Sequence, residues 1–412
     1  MNASLQNVGV DRPVNNGVAG GTIEHIKPCL HIRVFQIGQA RASSLQARNE
    51  KAPGRRTGHL FLPKTIALCI MPKSYSAVQL VTCRRQGWPT QLDANRMIAI
   101  ILAGGIGKRL RGISQKTSKA MLPILGVPII QKIIEQILDE TPIRRFAIVV
   151  RTLDQDIAAF LRDNPPKGTE IELVCQPDPL GMADAVNKVA EQSPIESDFL
   201  LTASDNLYER GAVSELYRIH REGHFDGTLC LLRMRKEAIA EKSAAVYLDS
   251  GRVSRIVEKP PLEEIETDVA CIPLYIFTPK LLEYVPRVQL SKRGEYELQD
   301  AIQMLIDDGG KLGYTITNQR WTITRPEDLL AINLQMLRDR PWQDVPEIPD
   351  VEIEQPVLIE QPCGLLSGSH IGPNVYIGAG STIGRDCRLS NCLVLPGSSV
   401  PDATHADNEV LY

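Results

Sequence analysis

Eight aliphatic residues, Ile353, Ile359, Leu365, Ile371, Ile377, Ile383, Leu389 and Leu395, recur at intervals of six without a gap. Few chain geometries accept that period. It is neither the alternation of a strand nor the 3.6-residue turn of an α-helix. Gly372, Gly378 and Gly384 each follow an aliphatic member, and Ser or Cys stands four positions after one at 369, 381, 387 and 399. A six-residue period predicts a short left-handed parallel β-helix, in which three hexads make one coil and equivalent aliphatics stack inward. Residues 353–400 supply only two to three such coils, so the solenoid needs another surface to pack on, either the rest of the chain or a second subunit.

A different pattern precedes it. From Met97 to about Arg338, apolar runs alternate with amphipathic stretches: PIIQKIIEQILDE as helix, RRFAIVV as strand, LDQDIAAFLRD as helix, TEIELVCQ as strand, GMADAVNKVAEQ as helix, DFLLTASD as strand, then AVSELYRIHREG and GTLCLLRM. Such alternation predicts βαβ units, hence an α/β fold with a Rossmann-like, mainly parallel sheet that binds its ligand at the carboxyl ends of the strands.

The first strand opens onto chemistry. Ile98, Ile100, Ile101 and Leu102 form a short apolar run suited to a strand buried on both faces, and Gly104, Gly105 and Gly107 then break it. Glycines at that point let the backbone turn its N–H groups toward an anion. Arg109 and, ten residues later, Lys119 add two fixed cations, an arrangement suited to a triphosphate whose charge must be held and then moved. On its own, a glycine-rich turn beside an arginine is also an ordinary βα connection. The order of residues is neither that of a dinucleotide fingerprint nor of a Walker A loop, since no G-K-[ST] closes it.

The stretch Met97–Ile130 resembles the opening motif of the sugar-phosphate nucleotidylyltransferases, G-G-x-G-[TS]-R-[LM] followed by P-K and L-P-[VI]-x-x-x-P. The matching residues are Gly104, Gly105, Gly107, Arg109, Leu110, Lys119, Leu122, Pro123 and Pro128, whereas Lys108, Gly112 and Ser118 depart by replacing Thr or Ser, Pro and Pro. The resemblance extends to QPDPLGMADAV, implying that Gln176 and Gly181 contact the nucleotide base. It implies nucleotide binding also by Ala103, Gly104, Gly105 and Gly107, with Arg109 and Lys119 as catalytic groups. Asp205, ending the apolar run FLLTAS, stands where the family has G-D; a carboxylate there is costly unless paired or ligating, so it reads as a Mg²⁺ ligand or, more plainly, as a turn cap. By resemblance Glu258 in VSRIVEKP would hold sugar hydroxyls, and Lys259 beside it, with Arg293 in RGEYELQDAI, the sugar phosphate. Neighbouring strand residues face opposite sides, so Glu258 and Lys259 can share a site only at a strand end or bulge. Glu297 and Asp300 fit helix capping as well as chemistry.

The largest departure is the family's W-x-D-[VIT]-G-[TR]-P string, whose Asp is a second metal ligand. Here the residues are Trp321, Thr322, Ile323, Thr324, Arg325 and Pro326, and the Asp position falls on Thr322 counted from the Pro or Ile323 counted from the Trp. Neither is a carboxylate. Ala245 and Pro273 also stand where the family tends to use Gly near the sugar, so the sugar's identity does not carry over.

Residues 1–96 hold 13 Lys and Arg against 4 Asp and Glu, and the remaining residues 33 against 45, so a basic segment precedes an acidic one. That segment lacks a sustained period, and its best apolar run, TIALCIM from Thr65, is too short to span a membrane. It reads as an upstream, non-native or disordered extension with Met97 as the natural start, with an extra domain or a targeting segment as alternatives. The expected organisation is 1–96 extension, 97–339 nucleotidylyltransferase domain, 340–352 linker, 353–400 β-helix and 401–412 tail. Nine cysteines without a C-x-x-C and seven histidines without metal-ligand spacing argue against a zinc site and suit a reducing cytoplasm. His220 and His224 read as a solvated helix face.

The resemblance implies transfer of a nucleotidyl group from an NTP to a sugar 1-phosphate, with Mg²⁺ as cofactor, no nucleic acid or membrane partner, and a homo-oligomer. Two other readings compete. A regulatory paralogue would keep the pocket without competent metal binding, and a bifunctional enzyme would add acetyl transfer in the β-helix, with His370 as a base lacking an evident partner.

Overall fold

The computed structural model describes residues 97–105, 107–110, 112–113, 117–151, 155–341 and 347–412, and the two-residue strand Arg33–Val34, paired antiparallel with Ile171 and Glu172. The reading of residues 1–96 as an extension otherwise lies outside the described residues.

Strand β1 (Ile98–Leu102) lies at the centre of the main sheet, parallel to β2 (Arg145–Val150) on one side and β4 (Phe199–Ala203) on the other, with β3 (Glu170–Cys175) beyond β2. Its continuous apolar run is explained by what covers it. Ala99 and Ile101 enter one core layer and Ile98 and Ile100 the other, so neither face meets water. Helix α1 (Ile129–Glu140) packs on the first layer with Ile129, Ile130, Ile133, Ile134 and Ile137, the one-sided stripe of an amphipathic helix. Helix α2 (Gln155–Asp163) adds Ile157 and Leu161 to that layer, and α3 (Met182–Gln192) supplies Val186 and Val189 to the opposite one. The order β3-β2-β1-β4 reverses direction between β1 and β4, and an open α/β sheet binds ligands at such a switch point.

Beyond β4 the sheet forks. Strand β9 (Val269–Phe277) runs antiparallel to β4 through Leu274–Phe277, but its earlier residues Ala270 and Cys271 pair instead with Ala245 and Ala244 of β7 (Ala244–Asp249). The register shifts between Cys271 and Tyr275, where Pro273 lacks the N–H a regular ladder needs. Tyr208, on β5 (Asn206–Tyr208), donates its hydroxyl to the Pro273 carbonyl at 2.7 Å, which satisfies the bulge. Strand β6 (Gly227–Arg233), reached through α4 (Ala212–Gly223), flanks the other edge of β9. Strand β8 (Arg252–Glu258) closes a hairpin with β7, and helix α5 (Lys236–Lys242) lies just before it. His220 on α4 corrects its reading as solvated: it is buried, with Nδ1 2.9 Å from Thr228 Oγ1 and Nε2 3.3 Å from Asp198 Oδ2. Helix α6 (Leu298–Asp307), strand β10 (Leu312–Thr317) beside β6, strand β11 (Arg320–Thr322) beside β5, and helix α7 (Pro326–Arg338) complete the domain.

The C-terminal residues form a parallel solenoid of three sheets. One contains Val351–Ile353, Ser369–Ile371, Arg388–Ser390 and His405–Asp407; the second Val357–Ile359, Val375–Ile377, Cys392–Val394 and Val410–Leu411; the third Gly364–Leu365, Thr382–Ile383 and Ser399–Val400. Residues 401–412, read from the sequence as a tail, therefore carry its last two strands. The six-residue period holds to Leu389 and then slips. Ile377 pairs with Val394 and Ile383 with Val400, so Val394 lies in the interior while Leu395 points to the catalytic domain. The cause lies downstream: unbroken sixes after Leu395 would put Pro401 and Asp407 inside, whereas the slip puts Val400 and Ala406 there. Asn391, at the shortened corner, takes φ +47°, a conformation Asn tolerates better than most side chains.

The outward residues Leu358, Tyr376, Leu393 and Val410 stand in register across the second sheet and pack, with Leu395, into the same core layer as Leu329, Leu330 and Leu334 of α7. The solenoid thus docks on its own catalytic domain. His370 is not without a partner, since its Nδ1 lies 3.0 Å from Glu352 Oε2 on the neighbouring coil.

Candidate active site

Two adjoining cavities open at the carboxyl ends of β1 and β4. The smaller, about 220 Å³, is lined by Gly104, Gly105, Gln176, Pro179 and Gly181 among others. The larger, about 410 Å³, occupies the fork of the sheet and is lined by Arg109, Ser243, Ala244, Glu258, Lys259, Pro273, Arg293, Arg320 and Thr322 among others. Lys119, Met182, Ala203, Asp205 and Glu295 border both.

The glycine loop divides its labour. Ala103 is fixed to the sheet by its N–H donating to Val149 at 2.8 Å, and Gly107 alone among the three glycines takes positive φ, +65°, to start the single turn Lys108–Leu110 that carries Arg109. Gly104 serves space instead: a Cβ there would stand 3.3 Å from Gln176 Oε1. Ala103 and Gly107 hold the loop without lining either cavity.

Gln176 is buried at the end of β3, and its Nε2 donates to Asp184 Oδ2 at 2.7 Å and the Gly181 carbonyl at 3.1 Å. Its side chain therefore ties the loop 176–184 to the wall of the smaller cavity. Gly181 has φ +110°, and a Cβ there would fall 2.5 Å from the Tyr296 carbonyl oxygen and 2.8 Å from its nitrogen. Only glycine allows this approach. The contact is mutual, because Tyr296 N–H donates to Leu180 at 2.7 Å and Ala183 N–H donates to Tyr296 at 3.1 Å.

Asp205 follows β4 after one residue, Ser204. Lys119 donates to its Oδ2, and Asn206 Nδ2 donates to its Oδ1. Lys119 reaches it from a short 3₁₀ turn, Lys119–Met121, whose approach explains a departure from the family pattern. Ser118 donates its backbone N–H to Asp156 Oδ2 at 2.7 Å, a bond that a proline could not make, and Thr117 Oγ1 donates to the same oxygen at 3.0 Å.

Glu258 and Lys259 do share the larger cavity, and at a strand end. Glu258 is the last residue of β8, and Lys259 leaves it with φ +43°, which turns the second side chain to the same side. Arg293 Nη2 lies 3.2 Å from Glu258 Oε1 and 2.7 Å from Glu297 Oε1, so the three form one ion-paired group with Lys259, whose Nζ is 3.4 Å from Glu258 Oε1. Burial pushes the Glu258 carboxyl above its ordinary range, against the opposing pull of Lys259 and Arg293. Burial, with Glu297 nearby, raises Asp300 too. Of the two positions read as close to the sugar, Pro273 lines the cavity, but Ala245 is buried on the other side of its strand with Ile239, Ile265 and Ala270; Ala244 faces the cavity instead.

The ambiguity of the W-x-D string is resolved by strand pairing. Thr322 lies opposite Asn206 and lines the cavity with Asp205, while Ile323 is fully buried in the core and donates its N–H to the Asp205 carbonyl at 2.9 Å. Thr322 thus shares the cavity lining with Asp205, and Ile323 does not. Sequence reasoning missed Arg320, which lines the same wall; the signal was its position two residues before Thr322 on a strand, which puts both on one face.

This is an α/β fold whose switch point holds a glycine loop, two cations and a carboxylate between two compartments. Residues 98–351 match the family model of the nucleotidyl transferases, and the chain belongs to that family. It is 32% identical over 322 residues to a glucose-1-phosphate thymidylyltransferase of Streptomyces griseus, covering 77% of this chain and 86% of that one. It is 29% identical over 233 residues to the UTP–glucose-1-phosphate uridylyltransferase AglF of Haloferax volcanii, covering 56% and 93%. In fold it is similar to a UDP-glucose pyrophosphorylase solved with UDP-glucose, with a TM-score of 0.54 at 18% identity over 59% of this chain and 99% of that one. The protein is a nucleotidyltransferase of nucleotide-sugar biosynthesis. Among the described residues, no helix is long and apolar enough to cross a membrane.

Proposed function

We propose that the protein joins an NTP to a sugar 1-phosphate, releasing pyrophosphate and an NDP-sugar. The observation that carries this reading is the pair of cavities that meet at Lys119 and Asp205. A nucleotide in the smaller cavity, against Gly104, Gly105, Gln176 and Gly181, and a sugar phosphate in the larger, against Glu258, Lys259 and Arg293, would bring their phosphates together there. A phosphate oxygen of the sugar phosphate attacks the α-phosphorus in line, a new P–O bond forms, and the bond to the bridging β-phosphate oxygen breaks with its electron pair leaving on pyrophosphate. Little covalent help is needed, so positioning and charge stabilisation carry the rate. In this reading Lys119 holds the reacting α-phosphate, Arg109 steadies the departing pyrophosphate, and Lys259 with Arg293 orients the nucleophile.

Enzymes of this family generally use a divalent metal, and the donors here fit a hard cation with a sparse protein set. Asp205, just beyond β4, borders the junction together with Glu295 from the opposite loop, and beside Asp205 the buried Asn206 Oδ1 has no hydrogen-bond partner. Among the described residues no group of three or more His, Cys, Asp or Glu could hold a metal. Mg²⁺ tolerates one protein carboxylate when phosphate oxygens and water complete its shell. When bound, it would neutralise charge on the triphosphate. Without it, the Lys119 pair keeps Asp205 from standing as an uncompensated, partly buried charge.

A pyrophosphate-release assay over four NTPs and a panel of sugar 1-phosphates with Mg²⁺ tests the reading, with thymidine and uridine triphosphates as the first choices given the two relatives. Nucleotide binding without turnover in any pair would overturn it in favour of a regulatory role. A cytoplasmic location, where both substrates occur, belongs to the same reading.

A further inference from the structure

The solenoid does more than rest on α7. It touches the catalytic domain at two glycines, one on each side of Lys119. At the first, a Cβ on Gly112 would stand 3.0 Å from Tyr412 Cε2 and 3.1 Å from its hydroxyl, so the tyrosine ring lies where a side chain at 112 would be. At the second, Gly126, with φ +80°, gives its space to Glu360: a Cβ there would fall on the carboxylate, 1.7 Å from Oε1. Gly126 lies in the tight turn between Pro123–Ile124 and Val127–Pro128, which Asn333 of α7 holds by accepting from Leu125 N–H at 2.8 Å and donating to the Pro123 carbonyl at 3.1 Å.

Gly112 matters because of what adjoins it. Leu110 and Ile113 are both fully buried, and Leu110 N–H donates to Gly107 at 2.8 Å, closing the turn on which Arg109 sits. Arg109 is exposed and lines the larger cavity, so its direction depends on how firmly that turn is seated. Tyr412 is itself aimed by the solenoid, since Val410–Leu411 pairs with Leu393–Val394 and Leu395 N–H donates to Leu411 at 2.8 Å. The proline usual at position 112 in this family would add a ring where the tyrosine ring now lies.

We propose that Tyr412 is a positioning residue for the nucleotide half of the site: its ring, carried by the last coil, wedges against Gly112 and seats the turn that aims Arg109. The inference rests on the reading of Arg109 as a triphosphate ligand. The full chain with Tyr412→Ala should show a KM for the NTP raised about tenfold, with the KM for the sugar phosphate moving less than about twofold. Hydrogen exchange of peptides carrying Leu110 to Ile113 should accelerate in the same variant, and exchange in α6 should not. Tyr412→Phe, which keeps the ring that meets Gly112, should hold the KM for the NTP closer to the wild type than Tyr412→Ala does. Gly112→Ala, whose Cβ displaces the half-exposed ring by a few tenths of an ångström, should raise the same KM by less than Tyr412→Ala does, and in the double variant it should add nothing, because the methyl then enters vacated space. Tyr412 is half exposed, so its loss leaves the fold intact. Unchanged exchange at Leu110 to Ile113 in Tyr412→Ala would overturn the proposal, as would an equal rise in both KM values or a Tyr412→Phe as defective as Tyr412→Ala. If the wild type turned over no substrate pair, the proposed function would fail, and exchange alone would still decide the wedge.

Discussion

Replacing Gly181 by alanine probes how the two compartments are joined. The backbone there sits at φ +110°, outside the regions that side chains favour, and a strained position of this kind costs about 1–3 kcal/mol. The new methyl would stand 2.5 Å from the Tyr296 carbonyl oxygen, a backbone atom that cannot swing aside. Relief requires the loop 176–184 to part from Tyr296, and that breaks the bonds from Tyr296 to Leu180 and from Ala183 to Tyr296, each contributing about 0.5–1.5 kcal/mol. Strain and lost bonds are alternatives in part rather than a full sum, so a destabilisation of about 3 kcal/mol is expected. In a domain of this size that lowers the melting temperature by about 6–12 °C. Tyr296 lies between Glu295 and Glu297, which line the larger cavity, so the parting also disturbs the sugar-phosphate side. The variant should therefore lose kcat/KM for both substrates. Calorimetry with steady-state kinetics on each substrate is the test. A melting temperature within about 2 °C of the wild type would refute the packing argument, and a defect confined to the NTP would refute the coupling.

Other outcomes follow from the same geometry. Thr322→Asp adds a carboxylate to the cavity that Asp205 lines and should tighten Mn²⁺ binding, read by electron paramagnetic resonance, by about tenfold or more; unchanged binding would show that Thr322 does not face the metal position. Lys119→Ala should lower turnover by about two to three orders of magnitude with an unchanged circular dichroism spectrum. Glu258 has its folded-state pKa raised by burial, so its contribution to stability is full below the ordinary carboxylate value and is lost as pH rises through the raised one. Glu258→Gln should accordingly melt higher than the wild type at neutral pH and lose that advantage at about pH 4; a gain only in acid would contradict the raised pKa. Asn333→Leu strands the Leu125 N–H and Pro123 carbonyl and should cost about 2–4 kcal/mol in urea unfolding.

The parts of the fold legible in the sequence are those set by local pattern. The apolar run of β1, the isoleucine stripe of α1 and the glycine break between them follow from periodicity and backbone freedom alone. Gln176, Asp205, Glu258, Lys259 and Arg293, marked in the sequence by their likeness to family motifs, line two adjoining cavities, and Arg293 reaches its cavity from the loop before α6 rather than from a strand end. What escaped depends on contacts between distant segments. Pairing of Thr322 with Asn206, which decides between two alignments of one string, needs a strand far away in sequence. His220 shares its helix face with the buried Val213 and Leu216, a stripe that marks it as inward, but the Thr228 and Asp198 that partner it lie on other elements. What a side chain at 112 would meet lies 300 residues downstream, in Tyr412.

The shortened corner at Asn391 makes the third coil a choice between two registers. Up to Leu395 the unbroken six-residue spacing is as apolar inside as the observed one, so these residues do not favour either. The decision falls to Val400 and Ala406, which lie inside only in the observed register. The last coil is therefore a register lock, acting back on residues translated before it. Charged residues at 400 and 406 would free the coil to return to sixes, turn Leu395 inward and strip α7 of part of its cover. A solenoid with a more regular repeat would then be a worse partner for its own catalytic domain.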